Sequence, residues 1–218
     1  MSNSDSFIEE VSEEVRRDRL YAALKKWGWL GVLIVLFAVG GASFNEWRKA
    51  QDRAAAQGFG DALLAALDTR DMEAAASAAL SIETTLPGQD AVAKHLAAAA
   101  ALASDQPDIA IEALGSVQAN ADISPIYREL AAFKAAMALP PDTPAQERMD
   151  AFEAITGSFR ALAQEQKALV MIANGDTDGA VEVLRTLSEL AEATPGVRRR
   201  TAELIVALGA DISDSDAQ

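Results

Sequence analysis

The stretch WGWLGVLIVLFAVGGASF, Trp27 to Phe44, contains eighteen consecutive residues without a charge or a proline. As an α-helix it spans about 27 Å at 1.5 Å per residue, close to the hydrocarbon thickness of a bilayer. Aromatic residues mark its ends: Trp27 and Trp29 at the start, Phe44 and Trp47 at the exit, the residue type that prefers the membrane–water boundary. Residues 27–47 therefore read as one transmembrane helix in a lipid bilayer, anchored by Trp27, Trp29, Phe44 and Trp47. Five basic residues precede the span (Arg16, Arg17, Arg19, Lys25, Lys26) and three follow it (Arg48, Lys49, Arg53). That bias places residues 1–26 in the cytoplasm and the long C-terminal part across the membrane. Two other readings compete. A cleaved secretory signal would use Val39-Gly40-Gly41-Ala42-Ser43 as its cleavage region, but a polar leader with six acids is foreign to such signals. A buried helix of a soluble core would need partners large enough to wrap an all-apolar surface, and the rest of the chain supplies none.

Working outward from the span, Phe7, Ile8, Val11, Val15 and Leu20 recur at helical spacing among charged residues and predict a short amphipathic helix in the tail. Beyond the span, residues 48–208 are rich in alanine and poor in aromatics, and almost nowhere alternate polar with apolar, so the fold class is all-α. The 218-residue chain has no cysteine, which rules out disulfides and thiolate zinc sites. Residues 1–53 carry eight bases and eight acids, so the net charge of −14 resides in the remainder. A surface that acidic repels nucleic acid and anionic lipid and suits a domain held beside a membrane. Residues 209–218 are acidic, lack apolar anchors and are expected to be a disordered tail.

Breakers divide the domain. Asn45–Asp68 continues the span helix, followed by helices expected at 72–85, 91–104, 109–118, 126–139, 145–155, 159–173, 177–193 and 197–208, with Ser124 as a helix cap and Pro125 in the first turn. The rhythm is one of paired helices, so repetition is the first question. In one pair Ala98 and Ala101 precede a turn at 105–108, and Ala110, Leu114 and Val117 follow it. In another, Ala168 and Met171 precede a turn at 174–178, and Ala180, Leu184 and Leu187 follow. Each position recurs 70 residues later, about two units of 35. Small residues at Ala98, Ala110, Ala168 and Ala180 let paired helices approach closely, and Leu114 and Leu184 fill the space between pairs.

This pattern resembles the tetratricopeptide repeat in its small and large apolar positions. It departs in lacking the early tryptophan and central tyrosine, which are Lys94 and Ala101 in one stretch and Gln164 and Met171 in the other. Residues 125–156 have a longer proline-rich connection, and residues 54–84 fit loosely through Ala62 and Ala74. The expected architecture is a single N-terminal transmembrane helix followed by degenerate tetratricopeptide-like repeats. The layout of short tail, one span, Trp47 just beyond it and an acidic, alanine-rich repeat domain resembles the bacterial YfgM-like family over residues 7–208. That resemblance implies an inner-membrane protein facing the periplasm, an accessory of the SecYEG translocon working with a PpiD-like periplasmic chaperone.

The residues themselves offer no enzyme. His95 is the only histidine and has no second ligand of its kind for a metal. No glycine-rich loop precedes a lysine and hydroxyl residue, so no phosphate cradle is formed. Asp105, Asp108, Asp176 and Asp178 stand near helix starts, where carboxylates cap amides and offset the helix dipole. Arg198-Arg199-Arg200 reads as a solvated helix face. No catalytic residue, metal ligand or cofactor site is assigned. The expectation is a membrane-anchored protein-binding scaffold; the alternative is a structural subunit that stabilises another membrane complex through its transmembrane helix.

Overall fold

The computed structural model describes the backbone of residues 3–211 and the side chains of Arg17, Tyr21 and residues 25–211. Regular structure among the described residues is entirely helical. The apolar stretch lies in α1 (Asn3–Leu67), whose Lys25–Leu67 portion contains an eighteen-residue window with a mean hydropathy of 1.9, wholly unburied. One N-terminal helix is thus long and apolar enough to cross a membrane. Trp27, Trp29, Phe44 and Trp47 are exposed, and the rings of Phe44 and Trp47 lie 5.9 Å apart. The apolar side chains expected to make the tail amphipathic, Phe7 to Leu20, lie outside the described residues, as do residues 212–218 of the expected acidic tail.

The chain forms two compact units that divide between Gly58 and Phe59, inside α1, whereas the sequence reading starts the domain at residue 48. The second unit contains the end of α1, then α2 (Met72–Leu80), α3 (Pro87–Ala103), α4 (Pro107–Ala119), α5 (Pro125–Ala138) and α6 (Ala145–Glu153). A single 3₁₀ turn, Gly157–Phe159, leads into α7 (Arg160–Ala173), and α8 (Thr177–Glu189) and α9 (Pro195–Ala207) complete it. From α2 to α5 and again from α6 to α9 each helix packs on the next, and α3 also touches α5 as α7 touches α9.

Several boundaries differ from those the sequence suggests. Three prolines read as breakers instead open helices: Pro87, Pro107 and Pro195 occupy a first turn, as Pro125 does where expected, and there the missing N–H has no helical partner to lose. Helix α2 stops at Leu80, short of the expected residue 85. The Ser81 hydroxyl turns back to the Ser77 carbonyl, and Thr85 N–H donates to the Gln89 side chain instead of a helical carbonyl. Ser124 precedes α5, but its side chain makes no capping bond. Capping falls to Asp71, Asp176 and Thr194, whose side chains accept from Glu73, Gly179 and Val197 N–H groups at 3.0, 3.0 and 3.4 Å.

The 70-residue correspondence extends over three helices, α3–α5 against α7–α9. Ser124-Pro125 is matched by Thr194-Pro195, and buried Ile123, Ala131 and Val117 by buried Ala193, Thr201 and Leu187. The connections match bond for bond: Asn120 N–H to Val117 O and Ile123 N–H to Asn120 O recur as Leu190 N–H to Leu187 O and Ala193 N–H to Leu190 O. Helices α3 and α7 close alike, with Gln106 N–H reaching Ala101 O at 2.8 Å and Asp176 N–H reaching Met171 O at 3.0 Å. That closure needs a left-handed residue: Gly175 supplies it at φ +85°, but Asp105 at φ +58° does so with a side chain. Asp105 therefore terminates α3 and does not cap α4. At the N-terminal end the expected small pair is displaced, since Ala62 is half-buried and Ala74 exposed while Ala66 packs with Ala79 and Ala97.

Candidate functional site

The six residues singled out from the repeat fall into two cores. Ala98, Ala110 and Leu114 lie together with Ala101, Val117 and Ile123. Ala168, Ala180 and Leu184 lie together with Ile205 of α9. The first of these cores includes no residue from α7–α9, so the two do not meet; a third cluster around Phe152, Ile155, Ala163 and Val170 lies between them along the chain. There Phe133 stacks on Phe159 at 5.8 Å and tilts against Phe152 at 6.4 Å. These residues are scaffold: they set the spacing of the helices and leave the outward faces free.

Two buried polar groups lie between helices. His95 on α3 and Glu165 on α7 are equivalent positions, both buried, and both reach toward the third helix of their set. Tyr127 O can only accept, so His95 Nε2 carries the proton and donates across 3.3 Å. Its Nδ1 is buried with no partner. Burial, and then the positive charge of Lys134, hold the His95 pKa below its ordinary 6.5. Glu165, its side chain 5% exposed, receives two 2.6 Å bonds from Arg200 Nε and Nη2. The hydrogen bond to Glu165, and then its charge, raise the Arg200 pKa further.

The arginine run is therefore not a free basic patch: Arg198 donates to Leu190 O at 3.3 Å, Arg199 pairs with Glu203 at 3.6 Å and Arg200 with Glu165. A cleft of about 250 Å³ over α7 and α8 contains Arg160, Gln164, Lys167 and Glu182. Its Glu153 carboxylate accepts from Lys167 at 2.7 Å and Gln164 at 3.1 Å, and those two bonds hold its pKa below the usual carboxylate value. No group of three or more metal-ligating side chains gathers among the described residues.

What the sequence reading missed is the apolar surface left outside. Val92 and Leu102 on α3, Met137 on α5, Leu169 on α7 and Val206 on α9 are all exposed. From Leu96 to Ala103 every position of α3 is apolar, so no periodicity separates the buried alanines there from the outward Leu102. Comparison with protein-family models, curated proteins and solved structures gives no match for this chain.

Proposed function

We propose that this protein is a membrane-anchored scaffold that binds other proteins through tetratricopeptide-like helical repeats. The observation that carries the reading is the pair of three-helix sets 70 residues apart, closed by the same hydrogen bonds and built on close-packed small residues. Stacked repeats recognise partners through many shallow contacts and need no reactive residue. Exposed Val92, Leu102, Met137 and Leu169 on the first helices of successive pairs supply apolar contact points. The apolar helix tethers the unit to a bilayer, raising its effective concentration beside membrane complexes. In this reading the N-terminus is cytoplasmic, the repeat domain faces the periplasm of a bacterial inner membrane, and the partners are the SecYEG translocon, a PpiD-like chaperone and emerging secretory chains.

The test is crosslinking with mass spectrometry on native membranes containing the full-length protein. Crosslinks from residues 91–190 to translocon subunits, a periplasmic chaperone or newly exported chains are the expected result. Crosslinks confined to residues 1–53 and to one unrelated membrane complex would overturn it in favour of a structural subunit held through its transmembrane helix.

A further inference from the structure

Between α5, α6 and α7 lies a groove of about 140 Å³. Buried Ala136, Phe152 and Val170 line it, together with Met137 and Leu169, which are 51% and 38% exposed. An apolar cavity of about 150 Å³ accepts a group the size of benzene. This groove is of similar size but open on one side and lined by Gln166 as well as by apolar side chains, so it has room for one side chain and is too small for a helix. Arg148 of α6 also lines it, half-buried, with a buried Nε that has no hydrogen-bond partner. The ion pairs among the described residues engage Arg53, Lys94, Lys167, Arg199 and Arg200, and Arg148 is in none of them. Arg148 thus brings a positive charge with no carboxylate partner to the wall of the groove, and a guanidinium pairs most strongly with a carboxylate.

We propose that this groove holds a segment of a partner protein in which one aliphatic side chain stands beside a side-chain carboxylate. The aliphatic group fills the space beside Met137 and Leu169. The carboxylate accepts from Arg148, a pairing that a planar guanidinium makes in two parallel bonds and a lone backbone carbonyl cannot complete. The overall charge of −14 slows the approach of an acidic segment, but at physiological salt that repulsion fades beyond about 8 Å. Inside the groove the nearest charge is positive. The inference rests on the protein-binding reading and names the chemistry of the partner.

The test uses full-length protein in detergent micelles, labelled with ¹³C at its methionine methyl groups, with the Met137 resonance assigned through Met137→Leu. The probe is the heptapeptide Gly-Ser-Glu-Leu-Glu-Ser-Gly, acetylated and amidated so that only side-chain carboxylates remain, compared with its Gln-Leu-Gln counterpart. A saturable shift of Met137 is expected, about tenfold weaker in affinity for the glutamine peptide. Arg148→Gln should bring the two peptides level. Equal response to both peptides by the unmodified protein, no response of Met137, or a Met137 shift that follows protein concentration because a second copy fills the groove would each overturn the proposal. Client crosslinks from residues 91–190 together with a silent Met137 would leave the scaffold reading standing and remove only this groove.

Discussion

Leu184 is fully buried against Ala168, Ala180 and Ile205, and truncating it should open the C-terminal three-helix set while sparing the one before it. Core Leu→Ala changes cost about 2 to 5 kcal/mol, the higher figures arising where neighbours cannot move into the space. Ala168 and Ala180 have only a methyl to offer, whereas Met171, Leu204 and Leu208 also pack against the cluster and can lean inward, which places Leu184→Ala in the middle of that range, at about 3 kcal/mol. The core of the second unit is divided, and the cluster around Leu114 shares no residue with the cluster around Leu184. In a linear stack the loss stays with the elements that meet the cavity. Amide exchange in α8 and α9 should therefore accelerate about a hundredfold, at tenfold per 1.4 kcal/mol, while α3 and α4 retain their protection. Hydrogen exchange read by mass spectrometry on the full-length protein resolves those segments. Equal acceleration in 87–119 and 177–207 would refute the reasoning by making the whole stack one cooperative body. Leu114→Ala should give the mirror pattern.

Other outcomes follow from single sites. Ala110→Leu adds bulk at a fully buried helix contact and should cost about 1 to 3 kcal/mol; an unchanged thermal melt would undo the assigned repeat register. Gly157 has φ +73°, and a Cβ there would lie 2.6 Å from Glu129 Oε1, whose carboxylate accepts from Ser158 N–H at 2.9 Å. Gly157→Ala should thus lower the melting temperature more than Gly175→Ala, where φ is +85° but the space is open. Asp105→Gly should relieve the left-handed strain at the end of α3 and stabilise by about 0.5 to 1 kcal/mol in a denaturant titration, the gain being limited by the greater freedom of glycine in the unfolded chain. His95 has a folded-state pKa below 6.5, so its stabilising effect is complete above pH 6.5 and is lost as pH falls from 6.5 through the folded value. Denaturation midpoints across that window should drop for the parent and stay flatter for His95→Gln.

The sequence by itself determined the apolar helix, the all-helical class and the 70-residue spacing, because each is written in local chemistry: an unbroken uncharged run, the dominance of alanine, and small residues at fixed intervals. It misplaced helix ends wherever one residue type has two uses. Pro87, Pro107 and Pro195 were legible as punctuation, but whether a proline breaks a helix or opens one depends on whether its position has an N–H to satisfy.

Only the tertiary structure decided which faces were buried. Alanine is equally at home in a core and on a surface, so Ala66 and Ala74 look alike in sequence, and only packing against Ala79 and Ala97 buries the first. The same holds for charge. Arg148 and Arg200 are indistinguishable as letters, yet one meets Glu165 from a helix 35 residues away and the other faces a groove with no carboxylate. Contacts between side chains so far apart in the chain depend on how the helices stack, and no local pattern records them.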